Sequence, residues 1–232
     1  MGSYELLDIL FAKNVSKFHK ILFYIFSVLI FHVAANYPSF AVIGFSLLAV
    51  VFLVLSVLSH SQFPELENLV SYQAKSLLGF VYVGLLPSYA YRILNLPNGM
   101  IWFMTLLAVV FAGDIMAYIV GILVGKHKIN PRLSPKKTWE GSIGGLVGSL
   151  TAGYVCSLYL PQIQLSGLLV TALCAGFVAQ FGDFFESLLK RVADVKDSGG
   201  LMPGHGGVLD RLDGVLFASP VIMIVASLFE SF

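Results

Sequence analysis

The sequence predicts an all-α protein that crosses a membrane several times as a helical bundle. Of its 232 residues, 57% are hydrophobic and only 12% are charged, whereas soluble domains average about 25% charged residues. The mean hydropathy is +0.86, and the apolar residues occur in long runs, near the roughly 20 residues that a helix needs to cross a bilayer. These observations exclude a soluble globular domain and an intrinsically disordered chain.

Seven segments are apolar enough, or nearly so, to form transmembrane helices. In chain order they are 21–36, 40–58, 74–91, 100–124, 141–160, 165–185 and 215–229. Asn36-Tyr37-Pro38-Ser39 is typical of a tight turn between the first two segments. We expect no cleavable signal peptide, because Glu5, Asp8 and three lysines fall within the first twenty residues.

The distribution of Lys and Arg predicts the orientation in the membrane. With seven spans, the N-terminus shares one side with 59–73, 125–140 and 190–213. Together with Lys75 at a border, this side holds 13 of the 14 Lys and Arg residues, and only Arg92 lies on the other side. Because cytoplasmic loops carry the excess of Lys and Arg, we expect a cytoplasmic N-terminus.

Net charge and cysteine content restrict the function further. The formal net charge is +1 and there is no basic arm or stripe, so we expect no nucleic-acid partner. Cys156 and Cys174 both lie inside apolar runs, which gives almost no support to a disulfide framework or a cysteine-based zinc site.

The first of two long polar loops, 125–140, places hydroxyl and ammonium groups just before an apolar segment. These groups belong to Ser134, Lys136, Lys137 and Thr138. Cations, hydroxyls and free backbone N–H groups at a helix start suit phosphate. Lysines are also common beside a cytoplasmic membrane surface, where they set the orientation of the protein. Composition alone therefore leaves phosphate binding and this orienting role equally open.

The second polar loop, 187–213, combines glycines with charges of both signs. Glycines let a backbone approach a ligand closely, carboxylates hold Mg²⁺, and cations bind phosphate oxygens. The residues are Gly199, Gly200, Gly204, Gly206 and Gly207; Lys190, Arg191, Lys196 and Arg211; and Asp194, Asp197, Asp210 and Asp213. The loop therefore suits a metal–nucleotide site, with an ordinary solvated loop as the alternative.

Several ionisable residues lie inside or at the end of apolar segments, where they mark function by default. Asp114 sits in the middle of such a run. Asp183 and Glu186 share a helix face at i and i+3, and Lys190 continues that face. We expect Asp183 to bind metal, whereas Glu186 is either catalytic or the ion-pair partner of Lys190. His205 suits a ligand, a phosphate donor or a turn residue.

The residues alone leave three classes of function to compare. An enzyme acting on a phosphorylated substrate with Mg²⁺ is the first, an ion-coupled transporter using Asp114 and Asp183 is the second, and a scaffold is the third. A scaffold has no use for acids within spans, and transporter coupling groups cluster at mid-membrane. Eight of the 13 acidic residues belong to or flank the two loops, which favours interfacial chemistry on a lipid head group.

Two motifs make a family resemblance specific. The first is Ser187-Leu-Leu-Lys190-Arg191, Lys196-Asp197-Ser198-Gly199 and Pro203-Gly-His-Gly-Gly-Val-Leu-Asp-Arg-Leu-Asp213; the second joins Gly113-Asp114, Ala117-Tyr118, Gly121 and Gly125-Lys126 to Ser134-Pro-Lys-Lys-Thr-Trp-Glu-Gly141. Together they resemble the signature blocks of the phosphatidate cytidylyltransferases, also called CDP-diacylglycerol synthases. Met202 stands where the family usually has Ile, Leu or Phe, an apolar-for-apolar change.

The resemblance implies transfer of a cytidylyl group from CTP to phosphatidate, giving CDP-diacylglycerol and pyrophosphate. It implies Mg²⁺, leaves a second cation open, and gives CTP, phosphatidate, membrane lipid and a homodimer partner as expected partners. The expected location is the cell (inner) membrane with the active site facing the cytoplasm. We divide the chain into N-terminal membrane helices, 1–98, and a C-terminal catalytic membrane domain, 99–232. Another lipid acceptor, an ether phosphatidate or a polyprenol, is the alternative.

The resemblance also implies roles for individual residues. The catalytic group comprises Asp183, Lys196, Asp197, Asp210 and Asp213, of which Asp183 and Asp210 would hold the metal. The nucleotide would contact Ser134, Lys136, Lys137, Thr138, His205, Gly206 and Gly207. The lipid phosphate or the leaving pyrophosphate would contact Lys190, Arg191 and Arg211, while Asp114 and Glu186 are further intramembrane acids. Phosphatidate is already an oxyanion, so no general base is assigned.

Overall fold

A computed structural model describes residues 2–11, 15–161, 163–195, 198–199 and 207–230. Its helices are α1 (Gly2–Phe11), α2 (Lys17–Asn36), α3 (Ala41–Leu58), α4 (Leu66–Gly79), α5 (Leu86–Leu94), α6 (Gly99–Leu123), α7 (Trp139–Ser157), α8 (Leu165–Val192) and α9 (Leu209–Glu230). A π-helical stretch, Phe80–Leu85, joins α4 to α5, and two short strands, β1 (Lys128–Asn130) and β2 (Ser134–Thr138), join α6 to α7. The predicted all-α class is confirmed.

Six helical segments are long and apolar enough to cross a membrane, which confirms a polytopic membrane protein. They are Lys17–Asn36, Pro38–Leu58, Leu66–Leu94, Gly99–Leu123, Leu165–Val192 and Leu209–Phe229. Each matches one of the seven predicted segments. The remaining segment, 141–160, corresponds to α7, whose five glycines and three serines lower its hydropathy. The seven-span count and the cytoplasmic N-terminus stay predictions.

Large apolar side chains cover the outer faces of these helices. On α3, Val42 is 79% exposed and Leu47 is 62% exposed. A soluble monomer rarely exposes apolar patches of this extent. Such a surface is stable when lipid tails surround it.

The chain forms two compact units. Unit 1 contains Met1–Tyr91 and Val192–Asp210, and unit 2 contains Arg92–Arg191 and Arg211–Phe232. The first boundary lies close to residue 98, where we divided the sequence, but the segment 192–210 groups with the N-terminal helices. The functional division at residue 98 stays a prediction.

Aromatic side chains build the core of unit 1. Phe23, Phe52 and Phe80 are fully buried, with Phe23 stacked on Phe80 at a centroid distance of 5.3 Å and Phe52 edge-on to Phe80 at 4.8 Å. Phe11 extends this cluster, because its ring lies 5.6 Å from Phe23 and 5.2 Å from Tyr72. Such pairs add to the free energy of burying the rings, so α1 is anchored in the core of unit 1.

In unit 2, α6 and α7 run antiparallel and pack closely through the glycines of α7. The facing pairs are Gly141 with Gly121, Gly144 with Val120, and Gly148 with Met116. At the far end, the hydroxyl of Ser149 donates to the carbonyl of Val109 at 2.9 Å. Small residues let helix backbones approach one another, as is typical of helix pairs in membranes.

The two strands between α6 and α7 form a hairpin that the sequence analysis did not predict. Lys128 pairs with Thr138, and Asn130 pairs with Ser134. The Glu140 carboxylate accepts hydrogen bonds from the backbone N–H groups of Lys126 and His127 at 3.2 Å and from Nδ1 of His127 at 2.6 Å. The His127 side-chain bond is the main cause of the lowered pKa of Glu140. These contacts fix the base of the hairpin to α7.

Candidate active site

Four charged side chains from four different elements of unit 2 form one cluster. They are Asp114 from α6, Lys137 from β2, Asp183 from α8 and Asp213 from α9. Every pair among the four interacts electrostatically, and the Lys137 ammonium lies 2.6 Å from Oδ2 of Asp183. Three carboxylates against one ammonium leave an excess of negative charge, which favours a cation.

The crossing of α8 and α9 brings two of these carboxylates together. A Cβ atom added at Gly182 would lie 2.9 Å from the carbonyl carbon of Asp213 and 3.1 Å from Cα of Gly214. Only glycine permits this approach, and Gly182 immediately precedes Asp183. Asp213 is 9% exposed, and its Oδ1 accepts a hydrogen bond from the backbone N–H of Gly214 at 2.8 Å.

The length of α8 indicates where along the helix Asp183 lies. A helix needs about 20 residues to cross the hydrocarbon core, and α8 has 28 residues, from Leu165 to Val192. Asp183 lies 18 positions after the first residue of α8, counted from its bounds. Asp183 therefore lies in the part of α8 that leads to its basic end, Lys190 and Arg191.

Two neighbouring lysines that the sequence analysis treated alike occupy different surroundings. The Lys137 ammonium pairs with Asp183 and lies 4.0 Å from the centroid of the Phe184 ring, a cation–π contact. Lys136 is exposed, and its carbonyl oxygen accepts a hydrogen bond from Nζ of Lys128 at 3.5 Å. Successive residues of a strand point to opposite faces, and of the two lysines only Lys137 reaches the carboxylates.

The two predicted hydroxyl groups of the first loop lie at opposite ends of β2. Thr138 is 3% exposed and caps α7, with Oγ1 accepting a hydrogen bond from the backbone N–H of Gly141 at 3.1 Å. Ser134 begins β2 opposite Asn130. A cap role for Thr138 follows directly from this geometry, and nucleotide contacts from either hydroxyl stay predictions.

The C-terminal end of α8 holds three more of the predicted charged residues. Glu186 is 2% exposed, and Nζ of Lys190 lies 3.0 Å from its Oε2. This is the ion pair that the spacing suggested as one of two roles for Glu186. Nε of Arg191 donates to the carbonyl of Leu133 at 3.4 Å and so ties α8 to the hairpin. The predicted lipid-phosphate contacts of Lys190, Arg191 and the exposed Arg211 stay predictions.

In unit 1, Asp210 connects the two described ends of the glycine-rich segment. Its Oδ2 accepts hydrogen bonds from the N–H and hydroxyl groups of Ser198, both at 2.9 Å, and from the N–H of Gly207 at 2.8 Å. The proposed metal role of Asp210 stays a prediction. Lys196, Asp197, His205 and Gly206 lie outside the described residues, and their predicted roles stay predictions too.

Sequence reasoning missed a buried acid that contacts the same segment. Glu5 of α1 is 2% exposed and accepts hydrogen bonds from the backbone N–H groups of Val208 and Leu209 at 2.9 and 3.0 Å. The available signal was an acidic residue next to Leu6 and Leu7 near the N-terminus. Nothing in the local sequence points to partners some 200 residues away.

Comparison with known proteins agrees with the motifs. A profile of the cytidylyltransferase family matches residues 1–229. The phosphatidate cytidylyltransferase of Staphylococcus saprophyticus is 39% identical over 183 residues, which is 78% of this chain and 68% of that protein. The protein of the same name from Bacillus subtilis is 41% identical over 158 residues, covering 66% and 58%. That from Brucella melitensis is 42% identical over 133 residues, covering 57% and 49%.

The family profile matches nearly the whole chain, whereas each of the three relatives aligns over only part of its own length. The chain spans between 49 and 68% of the length of these three proteins. The family profile, by contrast, covers both units and all four members of the charged cluster. The resemblance carried by the two motifs is confirmed, and the chain belongs to the cytidylyltransferase family.

Proposed function

We propose that the protein is an integral membrane phosphatidate cytidylyltransferase, which converts CTP and phosphatidate to CDP-diacylglycerol and pyrophosphate. The observation that carries the proposal is the cluster of Asp114, Lys137, Asp183 and Asp213. We place this cluster near one membrane surface because Asp183 lies toward the basic end of α8. A water-soluble nucleotide and a lipid head group meet at such a surface. The names of the relatives and the two signature motifs support the same reaction.

In this reaction a phosphate oxygen of phosphatidate attacks the α-phosphorus of CTP. A new P–O bond forms, the bond from the α-phosphorus to the oxygen bridging to the β-phosphorus breaks, and pyrophosphate leaves. The attacking oxygen is already ionised, so the chain needs to position the reactants and neutralise charge. Lys137, held between Asp183 and the Phe184 ring, is placed to compensate the charge of the triphosphate.

The donor chemistry of the cluster fits Mg²⁺. Among the described residues, no three Asp, Glu, His or Cys side chains are grouped closely enough to hold a metal jointly. Mg²⁺ is usually bound through one or two carboxylates, with waters and substrate phosphates completing the octahedron. Asp183, with Asp213 or Asp114, would supply those carboxylates. Bound Mg²⁺ would neutralise charge on the phosphates.

The proposed location is the cell (inner) membrane with the cluster on the cytoplasmic side. The hairpin and the end of α8, which adjoin the cluster, carry most of the basic residues of unit 2: Lys126, Lys128, Arg132, Lys136, Lys137, Lys190 and Arg191. Basic residues concentrate on the cytoplasmic side of membrane proteins. This orientation would open the site to CTP.

The experiment is to incubate the purified protein with CTP, Mg²⁺ and a lipid acceptor while following pyrophosphate and radiolabelled lipid. We expect both products only when CTP, Mg²⁺ and phosphatidate are all present. Parallel reactions with ether phosphatidate and with a polyprenol separate the two alternative acceptors. Pyrophosphate release that is independent of lipid, or faster with a polyprenol, would contradict the assignment.

The variant that tests the site is Asp183→Asn, which is nearly isosteric and removes one charge. Loss of a metal-binding carboxylate should lower the rate about a hundredfold or more. The control is Glu67→Gln, which also removes one negative charge. Glu67 is an exposed residue of α4 and lies outside both motifs, so we expect this variant to keep full activity. A fully active Asp183→Asn protein at ordinary Mg²⁺ would remove Asp183 from the site.

A further inference from the structure

A buried carboxylate on the first helix contacts the glycine-rich segment of the signature motif. The two oxygens of Glu5 accept separate hydrogen bonds, one from the N–H of Val208 and one from the N–H of Leu209. Leu209 is the first residue of α9. Free N–H groups at a helix start attract negative charge, so Glu5 satisfies donors that the segment itself leaves unpaired.

Glu5 also packs against both described ends of the glycine-rich segment. A Cβ atom at Gly199 would lie 2.9 Å from Cγ of Glu5, and one at Gly207 would lie 2.8 Å from its Oε2. A larger residue at Gly199 would displace the carboxylate, and one at Gly207 would collide with the hydroxyl of Ser198 as well as with the carboxylate. The approach of Glu5 therefore accounts for glycine at position 199 and, together with Ser198, for glycine at position 207.

Asp210 binds the same ends from within the segment, through Ser198 and Gly207. Glu5 and Asp210 thus act on adjacent N–H groups, those of 207, 208 and 209. Glu5 is in turn held by its helix, whose Leu6, Leu7 and Phe11 are buried. The described ends of the signature segment, 198–199 and 207–209, are therefore contacted by a residue outside the motif.

We propose that Glu5 is a positioning residue for the described ends of the signature segment: α1 holds Gly199, Gly207 and the start of α9 in the arrangement that binds CTP. The identity of the ligand, CTP, rests on the proposed function. The contact itself, between Glu5 and the N–H groups of Val208 and Leu209, stands independently of that function. Glu5 touches no reacting atom in this proposal.

The test is Glu5→Gln, which keeps the size of the side chain but replaces one acceptor with an N–H₂ donor. One of the two backbone N–H groups then faces another donor and loses its hydrogen bond. A hydrogen bond to a charged group is strong enough that its loss should raise the KM for CTP about tenfold. We expect a smaller change in the KM for phosphatidate. Hydrogen exchange of a peptide covering 207–210 should become faster.

Two control variants separate positioning from loss of fold. Asp8→Asn removes the same charge from the same helix, but Asp8 is exposed and only pairs loosely with Lys20 at 3.8 Å. It should change neither KM nor exchange. Leu10→Ala opens a buried site on α1 and lowers the melting temperature, but it should leave the KM for CTP unchanged at a temperature where the protein is folded.

The outcomes are distinct. A raised KM for CTP and faster exchange in Glu5→Gln, with neither in Asp8→Asn and no change in KM in Leu10→Ala, support the inference. Unchanged exchange at 207–210, an unchanged KM, or an equal rise of KM in Leu10→Ala overturns it. A wild-type protein that releases no pyrophosphate from CTP contradicts the proposed function instead, and the exchange measurement still tests the contact.

Discussion

At the scale of single residues, the structure distinguishes side chains that the sequence presents as equivalent. Lys136 and Lys137 are adjacent, carry the same charge and precede the same helix, yet only Lys137 contacts Asp183 and Phe184. Strand alternation causes the difference. The strand was not predictable because β2 is five residues long and contains neither Val, Ile nor an aromatic residue. Asp183 was singled out from the sequence because acids at the end of an apolar segment are rare, and Asp213 was named as a residue of the second polar loop. The structure brings the two into one cluster, and their catalytic roles stay predictions.

This difference predicts unequal effects of a charge-conserving change. In Lys137→Arg, the larger planar guanidinium must fit between a carboxylate and a ring, so kcat/KM for CTP should fall about tenfold. In Lys136→Arg the exposed side chain has room, and kcat/KM should stay within about twofold of the wild type. Steady-state kinetics with CTP as the varied substrate measures both. Two fully active variants would indicate that both lysines serve only to orient the protein in the membrane.

At the scale of elements, hydropathy predicted the helices well and their contacts poorly. The bilayer requires long apolar helices, so six predicted segments correspond to spans. Three have nearly the expected bounds, and the other three, Leu66–Leu94, Leu165–Val192 and Leu209–Phe229, extend beyond the predicted 74–91, 165–185 and 215–229 at one end or both. The contact between α8 and α9 depends on single atoms at Gly182, and no periodicity in the sequence reports it. The same holds for α1, whose Glu5 contacts residues some 200 positions away.

The crossing at Gly182 predicts a strong effect from one added methyl group. In Gly182→Ala, the Cβ atom would meet the backbone of Asp213 and Gly214, so α9 must shift and Asp213 must move away from Asp183. Overpacking of this kind costs about 1–3 kcal/mol of stability, and we expect most of the activity to be lost. Thermal unfolding and the pyrophosphate assay measure the two effects.

Another glycine of α8 supplies the matched control for this change. A Cβ atom at Gly167 would lie 3.5 Å from Cζ of Phe229, an ordinary van der Waals contact. Gly167→Ala should therefore keep activity and, since alanine favours helix more than glycine does, should not lower the melting temperature. Equal losses in both variants would show that α8 tolerates no added methyl group, independently of the crossing with α9.

At the scale of the whole molecule, the number of membrane crossings decides where the termini lie. Six crossings put both termini on one side, and seven put them on opposite sides. The deciding helix is α7, which is too rich in glycine and serine to qualify by hydropathy. Its contacts follow α6 from Gly121 to Val109, a distance of about 18 Å along the helix axis. A partner that follows a spanning helix over that distance lies at the same depth, so we expect α7 to cross.

Cysteine labelling tests this in a variant that lacks Cys156 and Cys174. Single cysteines would be placed at Gln62, before α4, at Asn130, in the hairpin, and at Leu158, just after α7. If α7 crosses, a membrane-impermeant maleimide applied to intact cells should label only Leu158→Cys, whereas Gln62→Cys and Asn130→Cys should react only after the cells are opened. If α7 lies on the surface instead, Asn130→Cys and Leu158→Cys will react from the same side. That result would mean that α7 packs against α6 without crossing the membrane. The length of α6 that α7 follows argues against this arrangement.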